Sequence, residues 1–472
     1  MRTTLRRSCD ACAKAKHGCD LRTPRCSRCI KRKTSCVYTN EPLTSSSSPE
    51  SSGNNTPAVR DDEQLASLTL RERRITPEIS ESSAWVMNTT DASFDPFDSY
   101  PPTRLPRVHV QRLIYHFLSS IAFQYYPLDL NMESNPFVVS WWPLCLADPA
   151  LFHVSLQTAS LDEELRAQKG FPLSDLLMMD SVTLVRRKIE DSSEAFHDET
   201  LNSVVTLAAI EHGKGNIQAS RMHINGVKRM VTVRGGINEL KSTSPLTARM
   251  VSWVSMLVTG TPQFQTQDDF GFGTGISPIL QWHLASTPPE KPFDDPNIDP
   301  SIIDISTRLR NIFHQPHLSR LTNTELHDLT CFVVHKLLLL PPLSPDVSKG
   351  SAISECLRYS MALYMLSIHG TTYYSHMALA GAMVFQLKSH LTVLAETDYI
   401  YGPLGIWVLS IGMAATVGTR DYQSFKEHAS TAAVTLGLRR WEDILSCLES
   451  ILWMRTQQDE LFRQGWEEIL TS

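Results

Sequence analysis

The chain has 472 residues, 42% of them hydrophobic and 20% charged, and a formal net charge of −6. This length implies more than one domain, and the apolar content excludes a chain too polar to bury a core. The modest net charge averages two unlike parts. Residues 1–40 hold eleven Lys and Arg against Asp10 and Asp20, a net +9, so the other 432 carry −15. A basic head on an acidic body suits a polyanion partner at one end only.

Within that head stand Cys9, Cys12, Cys19, Cys26, Cys29 and Cys36, spaced C-x2-C-x6-C-x6-C-x2-C-x6-C. The same unit occurs twice, joined by a loop in which Pro24 pre-sets a turn. So short a stretch, almost without large aliphatics, cannot fold on an apolar core. Thiolates and metal supply the alternative, because a C-x2-C pair fits tetrahedral zinc. Six sulfurs are too few for two separate four-sulfur sites, but they suffice for two zinc ions if two sulfurs bridge. The repeat symmetry makes Cys9 and Cys26 the bridges. Disulfide frameworks belong to secreted domains. Residues 1–30 show no apolar h-region, so no signal peptide is expected.

The spacing, the basic run after Cys12 and the position of Pro24 resemble the fungal binuclear zinc cluster, the DNA-binding domain of fungal transcription factors. The resemblance covers residues 5–40. It implies a short helix presented to the major groove, usually at a CGG triplet, with the first and fourth cysteines bridging the metals. In the family, adjacent basic residues three and four positions after the second cysteine usually read the bases. Here those positions hold Ala15 and Lys16, and Gly18 stands where a basic residue is common. Lys14 and His17 share a helical face near Lys16, and lysine can donate to guanine O6 and N7. Arg28, Lys31, Arg32 and Lys33 repeat the layout in the second half and are expected on phosphates.

From residue 41 to 104 the composition is that of a disordered Ser/Pro-rich linker, with Ser45 to Ser48 at its start. Leu65, Leu68, Leu70 and Ile75 keep no a/d heptad, so nothing here supports a coiled coil, and a homodimer stays open. Residues 91–100 alternate acids with aromatics. They read either as linker that docks an aromatic on the body or as a short activation element.

Residues 105–472 read as all-α. Val110, Leu113, Ile114, Phe117, Leu118, Ile121 and Tyr125 form an i, i+3/i+4 stripe that stops at Pro127. Further helices are expected at 149–167, 172–195, 199–212 and 216–234, the last capped at Gly235-Gly236. Others follow at 246–258, 301–313, 323–340, 351–368, 374–395, 403–417, 421–437 and 440–468. Residues 399–419 lack charge, but Pro403 and four glycines favour a buried helix over a membrane span. Cys145, Cys331, Cys356 and Cys447 lie far apart in apolar surroundings and read as buried thiols. Asp148 to His153, Glu211-His212-Gly213, Arg221 to Val231 and Arg234-Gly235-Gly236 resemble the helical fungal-specific transcription factor domain, which is regarded as regulatory. Glu211, Arg221 and Arg234 are expected to cap or pair at the inter-helix turn.

Catalytic signatures are missing. The pairs Asp268-Asp269 and Asp294-Asp295 stand alone in loops, and there is no nucleophile elbow, phosphate loop or HExxH. His212 and His223 read as structural. The expected architecture is therefore a small metal-stabilised DNA-binding module of two short helices around a binuclear zinc–cysteine cluster, a disordered linker and a large all-α domain. The expected protein is a nuclear regulator of RNA polymerase II transcription that holds two zinc ions. Its expected partners are double-stranded DNA and transcription machinery or co-regulators, not a membrane. The alternative is a zinc-dependent protein-interaction cofactor that does not read DNA.

Overall fold

The computed structural model describes residues 10–15, 27–35, 100–268, 273–285, 298–314, 321–343, 349–395, 398–455 and 459–471. The chain forms two compact units, 1–77 and 78–472. Among the described residues there are helices but no β-strand, only an isolated bridge between Thr266 and Ile276. The coiled-coil candidate at 61–75, the Ser-rich run and residues 91–99 lie outside the described residues.

The body begins before its first helix. Tyr100 stacks on Phe152 with ring centroids 5.7 Å apart and planes 11° apart, and Arg104 pairs with Asp180. So Tyr100 is an aromatic that docks. The 105–125 stripe is helical, with a π-helical turn at Phe117–Ile121 between Arg107–His116 and Ala122–Tyr125. Pro149–Ala167 has the expected bounds. Asp148 caps it by accepting from the Leu151 N–H at 2.9 Å, and Pro149 takes the first turn, where no N–H is needed. Every residue from Ala150 to Asp162 is buried, so this helix is a central strut.

Consecutive helices pair along the chain. Pro149–Ala167 packs on Pro172–Glu190 and Asp198–Gly213, and the latter on Ile217–Val233 and Pro245–Thr259. Asn323–Leu339 packs on Lys349–His369, which in turn packs on Met377–Leu394 and Pro403–Thr416. One set of buried apolar side chains runs through all of them, from Val110 to Ile469.

Local signals explain the helix ends. At the end of Ile217–Val233, the Gly236 N–H donates to Val231 O at 2.9 Å and the Gly235 N–H to Thr232 O at 3.1 Å. That is a Schellman motif with glycine in the left-handed position, φ 88°. Thr322 and Glu325 form a capping box at the start of Asn323–Leu339. Arg234 ties the turns together, pairing with Asp198 and donating to Phe196 O and Thr243 Oγ1, while Glu211 accepts from Asn216 at 2.6 Å. Arg221 is exposed.

Several expected boundaries change. Residues 172–195 are helical only to Glu190, because the Asp191 carboxylate accepts from the Ser193 N–H at 2.9 Å and turns the chain. The stretch 440–468 is two helices, Trp441–Ile451 and Asp459–Leu470. Between them Leu452 is extended. Its carbonyl accepts from Trp407 Nε1 at 2.7 Å, and the Met454 N–H donates to the Tyr364 hydroxyl at 2.8 Å. Phe137–Trp141, Trp142–Ala147 and Ile237–Thr243 are helical where no helix was expected.

The uncharged stretch after residue 399 contains the Pro403–Thr416 helix, which is buried along most of its length. Two of its glycines serve close approach. A Cβ on Gly405 would overlap the backbone carbonyl of Ile400, and one on Gly412 the Phe425 ring. Met377–Leu394 is long and apolar enough to cross a membrane by composition. Here it buries one face, with Leu379, Met383, Val384, Leu387 and Leu391 inward and Phe385 outward. Cys145, Cys331 and Cys356 are buried and Cys447 half-buried. Burial raises all four thiols, Cys331 to about 12, which disfavours the reactive thiolate.

Burial also sets an acid response. It pushes His327, His335 and His376 down to about 4 and His369 in the same direction. These groups bind protons in the unfolded chain near pH 6.5 but resist them when folded. Stability is therefore full above pH 6.5 and is lost as pH falls towards 4, at up to about 1.4 kcal/mol per pH unit for each histidine. Thermal unfolding followed by circular dichroism between pH 7.5 and 4.5 should show a midpoint that falls steadily below pH 6.5. A flat midpoint over that range would contradict the buried neutral state.

Candidate nucleic-acid interface

The head presents two short helices, Asp10–Lys14 and Ser27–Arg32, which pack on each other. Each carries the second cysteine of its C-x2-C pair, Cys12 or Cys29, on the inner side, and each of these residues is 2% exposed. They are the only apolar side chains buried among the described head residues. Two inward thiols, with no buried aliphatic side chain among the described head residues, are what a metal-centred module requires, and soft sulfur donors suit zinc. Cys9, Cys19, Cys26 and Cys36 lie outside the described residues. No cluster of three or more His, Cys, Asp or Glu able to hold a metal occurs among the described residues.

The outer surface is cationic. Lys14, Lys31, Arg32 and Lys33 are exposed and Arg28 is half-buried among the described residues. Lys31 and Arg32 occupy the last turn of the second helix, where they also oppose the negative end of its dipole. That turn closes as at Gly235-Gly236. The Thr34 N–H donates to Cys29 O at 3.1 Å and the Lys33 N–H to Ile30 O at 3.2 Å. The left-handed position is held by Lys33 at φ 50°, where glycine is usual. A lysine there costs about 1 kcal/mol of backbone strain and retains a cation at the rim. Lys16 and His17 lie outside the described residues. The reading of the basic run passed over Ile30, which is 57% exposed among the cations. Its one signal was an apolar residue inside a run of charge.

In the body, His212 and His223 are lowered by burial, as structural histidines are. Asp268 pairs with Lys336 at 2.5 Å.

Comparison with protein families agrees with this geometry. Residues 7–45 match the Fungal Zn(2)-Cys(6) binuclear cluster domain, and residues 112–265 match the Fungal specific transcription factor domain. No curated protein and no solved structure matches the chain. The protein is thus a transcription regulator with a DNA-binding head of the binuclear zinc cluster class. Its particular form is a cluster domain that binds two zinc ions, followed by a helical fungal specific transcription factor domain. The second match stops at residue 265, whereas the buried core continues to Ile469.

Proposed function

We propose that this chain is a nuclear, sequence-specific regulator of RNA polymerase II transcription that reads CGG-like triplets. Cys9, Cys12, Cys19, Cys26, Cys29 and Cys36 hold the two zinc ions, with Cys9 and Cys26 bridging. Lys16, flanked by Lys14 and His17, meets base edges in the major groove, and Arg28, Lys31, Arg32 and Lys33 hold phosphates. The helical body, residues 105–472 with a start that reaches back to Tyr100, receives a signal or a co-regulator, and carries no catalysis. The observation that carries this reading is the pairing of two buried cysteines with exposed cations inside a matched cluster domain.

A second reading, a zinc-dependent interaction factor that does not read bases, is favoured by one observation. Ala15 and Gly18 stand where the family usually carries basic residues. Footprint titrations of the zinc-loaded full chain separate the two. Lys16→Ala should lower affinity for the selected site about 5- to 30-fold and relax discrimination at one base pair. An equal loss on all sequences would make Lys16 a phosphate contact. A slope of log affinity against log salt near zero would remove the electrostatic basis of DNA binding.

A further inference from the structure

The end of the second head helix sets two hydroxyls directly behind a cationic run. Lys31, Arg32 and Lys33 are followed by Thr34 and Ser35, and all of these residues are exposed. No other Ser or Thr in the chain directly follows three consecutive Lys or Arg. The other such triple, Arg186 to Lys188, leads into Ile189 and Glu190.

Backbone geometry holds Thr34 beside those cations. Lys33 turns the chain in the left-handed region at φ 50°, and the Thr34 N–H then donates to Cys29 O at 3.1 Å. Cys29 is the buried thiol of this helix. Thr34 is thereby pinned to the helix end, with Lys31 three residues behind it. Residues three apart around a helical turn lie about 5–6 Å apart, inside the Debye length of about 8 Å at physiological salt.

Charge gives the position its consequence. Residues 27–35 carry Arg28, Lys31, Arg32 and Lys33 and no acid, a net +4. A phosphate on Thr34 would bring a charge of about −2 and three acceptor oxygens, halving that excess. Its oxygens would take up Lys31, Arg32 and Lys33 in charge-assisted pairs, and these are the cations that the proposed reading sets on DNA phosphates. The same run suits the modifying enzyme, because a protein kinase with an acidic substrate groove selects cations ahead of the acceptor hydroxyl. Ser35 is the poorer acceptor. The residue after it, Cys36, is a proposed zinc ligand and so is held in the cluster.

We infer that Thr34 is a phosphorylation site whose modification releases the head from DNA. The inference rests on the DNA-reading proposal and adds its regulation. The Thr34 hydroxyl oxygen attacks the γ-phosphorus of ATP, and the bond from that phosphorus to the β–γ bridging oxygen breaks. ADP leaves, and the hydroxyl proton passes to the catalytic carboxylate of the kinase.

The zinc-loaded full chain is treated with ATP and the catalytic subunit of cyclic-AMP-dependent protein kinase, which takes basic substrates, or with casein kinase 2, which takes acidic ones. Peptide mass spectrometry without DNA should find phosphate on Thr34 with the first enzyme and not with the second. Thr34→Ser should still accept it, and Thr34→Val, which keeps the size, should not. At about 0.15 M salt the treated wild type should bind the selected duplex about 10- to 100-fold more weakly than equally treated Thr34→Val. Its salt slope should be shallower by about two, since each lost phosphate contact removes about 0.9. A phosphatase should restore binding. No phosphate on Thr34, phosphate on Ser35 in its place, or a Thr34-phosphorylated chain that binds as tightly as Thr34→Val would overturn the inference and leave the DNA-reading proposal standing. A chain that binds no duplex before treatment would sink that proposal and the release together.

Discussion

Cys29→Ser is expected to cost the full chain at least 100-fold in affinity for its specific DNA site while leaving the unfolding of the body unchanged. The cause lies in what the head lacks. Its described helices bury no aliphatic side chain, only Cys12 and Cys29. The strength that a core would supply must come from metal, on the order of 10–16 kcal/mol of apparent binding free energy per structural zinc. Serine keeps the size of the side chain but is a poor zinc ligand, so the cluster loses a bond the module cannot replace. The cations at Lys14, Arg28, Lys31, Arg32 and Lys33 would remain, yet without a frame they bind only as a flexible polycation. Residual affinity should therefore be salt-sensitive and indifferent to sequence. The body is a separate compact unit whose core begins at Val110, so its circular dichroism and thermal midpoint should not move. Fluorescence anisotropy with specific and scrambled duplexes reads the first effect. Chelation by EDTA should reproduce it, with recovery on added zinc. Retained discrimination in Cys29→Ser would show that the cluster does not carry the reading.

Arg358→Leu should destabilise the body by about 3–5 kcal/mol, the usual penalty for stranding a buried charge. Arg358 is 5% exposed and lies on the Lys349–His369 helix. It donates to Leu337 O at 2.8 Å, Leu340 O at 2.6 Å and Pro341 O at 3.2 Å, closing the end of Asn323–Leu339. It also faces Glu355, 2% exposed, at 3.3 Å. Glu355 in turn accepts from the Leu343 N–H at 3.0 Å. Leucine would leave three carbonyls and a buried carboxylate without their cation. Replacing Glu355 by leucine as well removes the stranded charge, so Arg358→Leu/Glu355→Leu should recover part of the loss. Denaturant unfolding of the three proteins measures both effects. A single variant as stable as the wild type would mean that the arginine neither caps the helix nor neutralises Glu355.

The periodic parts of this fold were readable in advance, and the departures have local causes. Pro149–Ala167 was legible because its apolar period, its Asp148 cap and its first-turn proline agree. The break at Leu452 was not, because amphipathic spacing continues on both sides. What stops the helix is a pair of hydrogen bonds from Trp407 and to Tyr364, 45 and 90 residues away along the chain. Likewise 374–395 starts late, at Met377, since the Tyr373 N–H is already committed to Gln124 O at 2.7 Å. Phe137–Ala147 escaped notice because its first five residues form a π turn, which shifts the apolar period, and Pro143 reads as a break.

Sites divide the same way. The proposed metal site is written in consecutive spacing, so its six candidate sulfurs stand out together in the sequence. The acceptor hydroxyl of Thr34 does not, because its exposure depends on where the Ser27–Arg32 helix ends. Lys33 in a left-handed turn was equally invisible, as propensity alone would have asked for glycine.

Zinc content measured on the native full-length chain is the most direct check. Native mass spectrometry, supported by elemental analysis, should return two zinc ions per polypeptide, both lost together with specific DNA binding when a chelator is added. One ion, none, or specific binding that survives metal removal would contradict the account.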